Sequence, residues 1–251
     1  MLFCSLSLYF VSTLLGVCAR FRRPLCGLLS VLLMLPAFGL YFSSLFYSYL
    51  REKTFPLGDP YGFISFLGNL FVPTFLFLTY KYRNLLGFAH LVAFVGFLAT
   101  LFALPSSPSP YKSTLYGLHL LFASLSYLFV LIGGLSASLR LILEKRLKKH
   151  VFFQAYVPLD SLRRAERLSI NLAFLGFTFT LIFGSLWART QFGKHWIDDP
   201  KLITTLLLWL YYAVLSHLNL LKKLKPKRFS EGVILGAIFS LINLFFVRHN
   251  L

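Results

Sequence analysis

The sequence predicts an all-α polytopic membrane protein: a helical bundle of about eight transmembrane helices with both termini outside the cytoplasm. Three observations predict it. Of the residues, 57% are hydrophobic and 13% charged, with a mean hydropathy of +0.73, against roughly 25% charged in an ordinary soluble domain. Apolar runs recur at the length that crosses ~30 Å of hydrocarbon. The basic residues sit in short clusters between those runs. No run alternates with period two, and backbone groups in lipid must be paired, so the runs are helices and not barrel strands. The formal net charge of +17 does not point to nucleic acid, because the bases line no single solvated face. Membrane lipid is the expected surrounding.

The runs fall at 2–19, 25–47, 62–80, 85–104, 117–143, 168–188, 201–221 and 231–247, as a single domain over 1–251. The first begins at Leu2 with no positive segment ahead of it. Leu15-Gly16-Val17 before Cys18 make a poor cleavage site, so it reads as a retained helix. Cys4, Cys18 and Cys26 lie in or beside the first two runs and form no CxxC or CxxCH, which excludes a zinc protein and a c-type cytochrome. The third run follows the segment 48–61, and the fourth carries His90 about five residues from its inner end. His119 opens the fifth. The sixth is preceded by the one sizeable inner loop, 145–167, whose second half, Asp160–Arg167, follows Pro158 with a plausible helix cap and is expected to lie along the membrane surface. Asp199-Pro200 cap and start the seventh run. His217 stands sixteen residues beyond Lys201, ~24 Å along a helix. The eighth carries Asn243, with His249 just after it.

Placing the loops alternately on two sides puts 18 of the 25 basic residues on one side: Arg20, Arg22, Arg23, Lys81, Arg83, Arg140, Lys145, Arg146, Lys148, Lys149, Arg163, Arg164, Arg167, Lys222, Lys223, Lys225, Lys227 and Arg228. The positive-inside rule makes that side cytoplasmic. The outer segments are then 48–61, 105–116 and 189–200.

The outer stretch 187–201 reads Trp187-Ala188-Arg189-Thr190-Gln191-Phe192-Gly193-Lys194-His195-Trp196-Ile197-Asp198-Asp199-Pro200-Lys201. It resembles the tryptophan-rich WWD motif of the CcsA/CcmC/HemX-type cytochrome c assembly proteins, approximately WAxxxWGxxWxWDPK. Trp187, Ala188, Gly193, Trp196, Asp199, Pro200 and Lys201 fall in place without a gap. Phe55-Pro56-Leu57-Gly58 with Ser65 resembles the family's early outer loop, and His119-Leu120 through Ser126-Tyr127-Leu128 its HxxxxxxSY helix. Val157-Pro158-Leu159-Asp160, then Gly176-Phe177 and Gly184, resemble the run into the motif; Asn243 and His249 resemble its last helix and final histidine. Phe192 and Asp198 stand where the family has tryptophan, and Arg189, Lys194 and His195 are more basic than usual.

The resemblance implies a haem-handling membrane protein of cytochrome c biogenesis that presents haem b to apocytochrome c on the outer face. It implies a CcsB-like membrane subunit as partner and a bacterial inner membrane as location. Haem presents a flat aromatic face, two anionic propionates and an iron with two axial positions, so it calls for aromatic rings, basic groups and imidazoles. Trp187 and Trp196 would supply the platform, Gly193, Asp199 and Pro200 are counted with them among the haem-binding residues, and Arg189, Lys194 and Lys201 would neutralise propionates. His119 and His249 would ligate iron on the outer side, with His195 less favoured, and the resemblance assigns His217 to a haem-entry site. Taken without the motif, the two tryptophans are interfacial anchors, and His90 is as readily a helix-packing residue. No nucleophile stands beside a base, so any enzymatic role is one of positioning. A HemX-type role in control of haem synthesis is the alternative; a b-type electron-transfer cytochrome is disfavoured because no helix carries two histidines.

Overall fold

The computed structural model describes residues 1–19, 24–81, 83–150 and 158–247. Arg20, Arg22, Arg23, Val157, Arg248 and His249 lie outside the described residues. All regular structure among the described residues is helical, and eight helices are long and apolar enough to cross a membrane. The chain is an integral membrane protein. Its contacts divide it into two compact units, Met1–Gly117 and Leu118–Leu251.

The first unit contains α1 (Leu2–Ala19), α2 (Pro24–Glu52), α3 (Pro60–Lys81), a 3-10 helix (Arg83–Phe88) and α4 (Ala89–Phe102). Lipid does not drive apolar helices together, so association depends on close approach and on hydrogen bonds between helices. Both are present. A Cβ at Gly16 of α1 would lie 2.7 Å from the His90 backbone of α4, and one at Gly96 of α4 would lie 2.8 Å from the Tyr9 ring. The Tyr9 hydroxyl donates to Asn69 Oδ1 at 3.0 Å, and Asn69 Nδ2 reaches Thr100 Oγ1 at 3.3 Å, tying α1, α3 and α4 through buried groups. At the start of α3, Asp59 accepts from the Gly62 N–H and from the Ser107 backbone and hydroxyl, which joins segment 53–59 to segment 103–113.

The fourth span differs from the expected 85–104 helix. Its entry is wound as the 3-10 helix, and its exit tightens to i→i+3 bonds from Ala103 to Thr100 and Leu104 to Leu101 before Pro105. Gly87 disfavours α-helix at the entry, and proline stops it at the exit.

The second unit is built from α5 (Thr114–Lys148, its first turn still in the first unit), α6 (Leu159–Phe192), α7 (Pro200–Leu220) and α8 (Pro226–Phe246). The helices run antiparallel in sequence order. The start of α5, the end of α6, the start of α7 and the end of α8 therefore share one end of the unit, called here the motif end. At the opposite end Arg140 of α5, 1% exposed, is bound from all sides. Its guanidinium donates to Glu166 Oε2 of α6 (3.0 Å), to Glu144, to the Pro226 carbonyl (2.7 Å) and to Ser230 of α8, while the Ser230 hydroxyl donates to Glu166 Oε1. This knot corrects the expectation for Asp160–Arg167. The segment does not lie along the surface; it forms the first turns of one continuous α6, stood up by Glu166, which is fully buried against Arg140.

Candidate functional site

The motif begins on α6 and ends on α7. Gly193 terminates α6 in the left-handed region (φ 73°), its N–H returning to the Arg189 carbonyl at 3.0 Å, a backbone shape that glycine adopts without a Cβ penalty. The chain then folds back along α6. Arg189 Nη1 lies 3.0 Å from His195 Nε2, and Ser185 Oγ lies 3.2 Å from His195 Nδ1. A guanidinium only donates, so Nε2 accepts and Nδ1–H donates to Ser185. Ser185 and Arg189 are one turn apart on α6, so His195 straps the loop to that face. Asp199 closes the loop as the N-cap of α7, accepting from the Leu202 N–H at 3.1 Å, with Pro200 in the first turn.

The two tryptophans do not form one exposed platform. Trp187 is buried and meets Phe192 edge-on at 5.7 Å. Trp196 is 43% exposed, with its indole N–H directed to Asp198 Oδ1 at 3.2 Å. Asp198, standing where the family has an aromatic residue, thus orients the remaining exposed indole. Lys194 is exposed beside it.

His119 lies in the seam between α5 and α6 at the motif end. Its Nδ1 is 2.9 Å from the Thr180 carbonyl, which can only accept, so Nδ1 carries the proton and Nε2 the lone pair. The seam closes around it: a Cβ at Gly184 would lie 2.8 Å from His119 Nδ1, and two turns below, a Cβ at Gly176 would lie 2.5 Å from Ser126 Oγ. The HxxxxxxSY pattern and the two glycines are therefore the two faces of one helix contact.

Next to this seam Asn243 of α8 joins three helices. The Tyr127 hydroxyl of α5 donates to its Oδ1, and its Nδ2 donates to Thr204 Oγ1 of α7 at 2.6 Å. Lys201 Nζ reaches the carbonyls of Asn243 (2.7 Å), Leu244 (3.3 Å) and Val247 (2.9 Å).

The family model described as Cytochrome C assembly protein matches residues 1–251. The chain belongs to that family. Among curated relatives, the "Cytochrome c biogenesis protein CcsA" of Adiantum capillus-veneris is 26% identical over 236 residues, covering 75% of this chain and 73% of the relative. The CcsA of Guillardia theta is 28% identical over 220 residues, covering 76% and 72%. That of Chlamydomonas reinhardtii is 30% identical over 195 residues, covering 68% of this chain and 52% of the relative, so the match spans about half of that longer protein.

For a cytochrome c assembly protein the pertinent fit is to haem, and His119 meets its demands. A metal-ligating histidine characteristically donates its other ring N–H to a carbonyl or carboxylate, which fixes tautomer and orientation; His119 does so to Thr180, in a cradle that a side chain at 184 would fill. His217 has the same form: its Nδ1 is 2.7 Å from the Ala213 carbonyl, with Phe174 edge-on at 5.9 Å, on the exposed face of α7 near the end remote from the motif. The structure brings His119 and the 189–200 loop to one end of the second unit and sets His217 toward the other. His249 falls outside the described residues.

Sequence reasoning missed three features. Lys201, expected at a propionate, directs its ammonium to three carbonyls. Gly184, noted for its place in the pattern, makes room for an imidazole. The Arg140–Glu166 pair was counted only as topology, although an arginine inside the 117–143 run was a signal, because a charge in an apolar run has a partner.

Proposed function

We propose that this protein holds haem b at the motif end of its second unit, on the extracytoplasmic face, and presents it to apocytochrome c. The observation that supports the reading is the His119 imidazole, whose Nδ1 is committed to the Thr180 carbonyl, which fixes the tautomer in which Nε2 carries the ring lone pair. Trp196, held by Asp198, offers the exposed ring for stacking. Arg189 and Lys194 give the loop a positive field suited to propionates. His249 is the proposed second axial residue. Haem bound there supplies the vinyl groups to which the cysteine thiols of an apocytochrome add. The chain's own part is positioning: His119 orients, the loop's aromatic and basic residues hold, and no side chain acts as a nucleophile. The setting is a bacterial inner membrane with a CcsB-like subunit as partner, and His217 is the entry-side ligand. The relatives' printed function, cytochrome c biogenesis, supports this reading over a HemX-type role in haem synthesis.

Protein purified from haem-replete membranes is expected to show a low-spin b-type spectrum. His119→Ala should abolish the low-spin signature, and added imidazole should partly restore it. A His119→Ala spectrum identical to wild type would overturn the assignment.

A further inference from the structure

Lys201 breaks a local rule. It stands one residue into α7, directly after Pro200, at the positive end of its own helix, where a cation is disfavoured. A conflict of this kind marks a residue placed for something beyond its own helix. The neighbour that resolves it is α8. The last carbonyls of a helix lack partners within the helix and carry partial negative charge. Lys201 Nζ donates to two of them, Asn243 and Leu244, and to the carbonyl of the cap residue Val247. An ammonium has three protons, and three acceptors lie within 3.3 Å of it. The same Asn243 accepts from Tyr127 of α5 and donates to Thr204 of α7, and it is fully buried.

We propose that Lys201 is a positioning residue: a latch that caps α8 from the start of α7 and fixes the motif loop relative to α5 and α8, with no contact of its own to haem. Asp199 caps α7 through Leu202 and Lys201 caps α8, so the Asp199-Pro200-Lys201 end of the motif serves two helix termini at once. Tyr127 shares α5 with His119, so a latch closed on Asn243 sets the loop against the helix that presents the imidazole. The role in haem positioning rests on the function proposed above; the latch itself does not.

The test uses the full chain in lipid nanodiscs as wild type, Lys201→Met and Lys201→Arg, with two readouts. Amide hydrogen exchange of the peptide covering Asn243–Val247 reports the latch without haem. Haem titration followed by absorption reports positioning. Lys201→Met is expected to raise exchange at the end of α8 about tenfold or more, to lower haem affinity, and to shift the spin-state signature; Lys201→Arg, which keeps charge and donors, should recover most of both. Unchanged exchange in Lys201→Met overturns the latch. Raised exchange with unchanged haem affinity and spectrum overturns its role in positioning. Lowered affinity with unchanged exchange in both variants assigns Lys201 to direct propionate contact and also overturns the proposal. If the wild type takes up no haem, the functional reading fails, and exchange alone decides the latch. Should Lys201→Met fail to fold, Lys201→Gln, which keeps a donor without charge or reach, should show the same changes to a smaller extent; wild-type exchange in that variant overturns the latch.

Discussion

Gly184→Ala is the sharpest probe of the His119 cradle. The added Cβ would sit 2.8 Å from Nδ1, 3.0 Å from Cε1 and 3.7 Å from Cγ of His119, whereas ordinary contact begins at 3.4 Å. The imidazole must therefore retreat by at least the difference, 0.6 Å, or rotate. Its hydrogen bond to Thr180 is 2.9 Å long, so either movement loosens that bond and re-aims Nε2. Overpacking of this kind costs about 1–3 kcal/mol. Falling on the ligated geometry, that is a loss of about five- to hundredfold in haem affinity, at 1.4 kcal/mol per factor of ten. Haem titration of purified protein, read by absorption, measures it. Two controls separate positioning from general strain. Gly176→Ala compresses the same seam against Ser126 without touching His119; it should lower thermal stability and leave the spectrum of bound haem in place. Gly117→Ala, in α5, meets no atom within 4 Å; it should leave the spectrum unchanged and, if anything, raise thermal stability slightly. Wild-type affinity and spectrum in Gly184→Ala would refute the argument that this glycine exists to seat the imidazole.

Three further outcomes are expected. Glu166→Ala leaves the Arg140 charge buried and half-partnered, so thermal denaturation in lipid should show a loss of about 3–5 kcal/mol; a double replacement of Arg140 and Glu166 by methionine should be milder, and equal losses would argue against a buried pair. Arg189→Met removes the donor to His195 Nε2, so amide exchange across 194–198 should rise while α6 is unaffected; unchanged exchange would show that the strap holds nothing. A reporter active only outside the cytoplasm should give signal when fused after Ser107 or Lys194 and none after Lys149 or Lys225; the reverse pattern would put the motif loop inside and remove the case for extracytoplasmic assembly.

What could be read from the sequence divides along physical lines. Each span was legible because crossing hydrocarbon imposes a length of apolar residues, which one residue after another records locally. The ends were less so: α2 runs from Pro24 to Glu52, past the expected 47, because Ser48 to Glu52 continue the helix where apolarity falters. The motif loop was legible as a pattern, and Asp199 as a cap was legible because its partner Leu202 is three residues away. Lys201 was not, since its carbonyl partners lie 42 to 46 residues later. Nor was the course of Asp160–Arg167, whose charges read as a surface segment until Arg140, 26 residues before Glu166, accounts for the carboxylate. The buried link from Tyr9 to Asn69, 60 residues apart, belongs to the same class. Local rules recover what neighbours in sequence determine, and the site's supporting contacts are made between strangers.

The continuity of α6 has a consequence for what meets the aqueous phase. Its 34 residues amount to ~51 Å at 1.5 Å per residue, against ~30 Å of hydrocarbon and ~6 Å of headgroup on each side. The apolar stretch 168–188 fills the hydrocarbon, and no proline interrupts the helix before it. With α6 along the bilayer normal, the nine residues Leu159–Arg167 extend ~13 Å beyond that stretch. That stub carries Arg163, Arg164 and Arg167 beside a face, Leu162 and Glu166, that stays buried against its neighbours, and a cysteine introduced at the exposed Arg164 would give a thiol-reactive handle on α6 at the end opposite the motif.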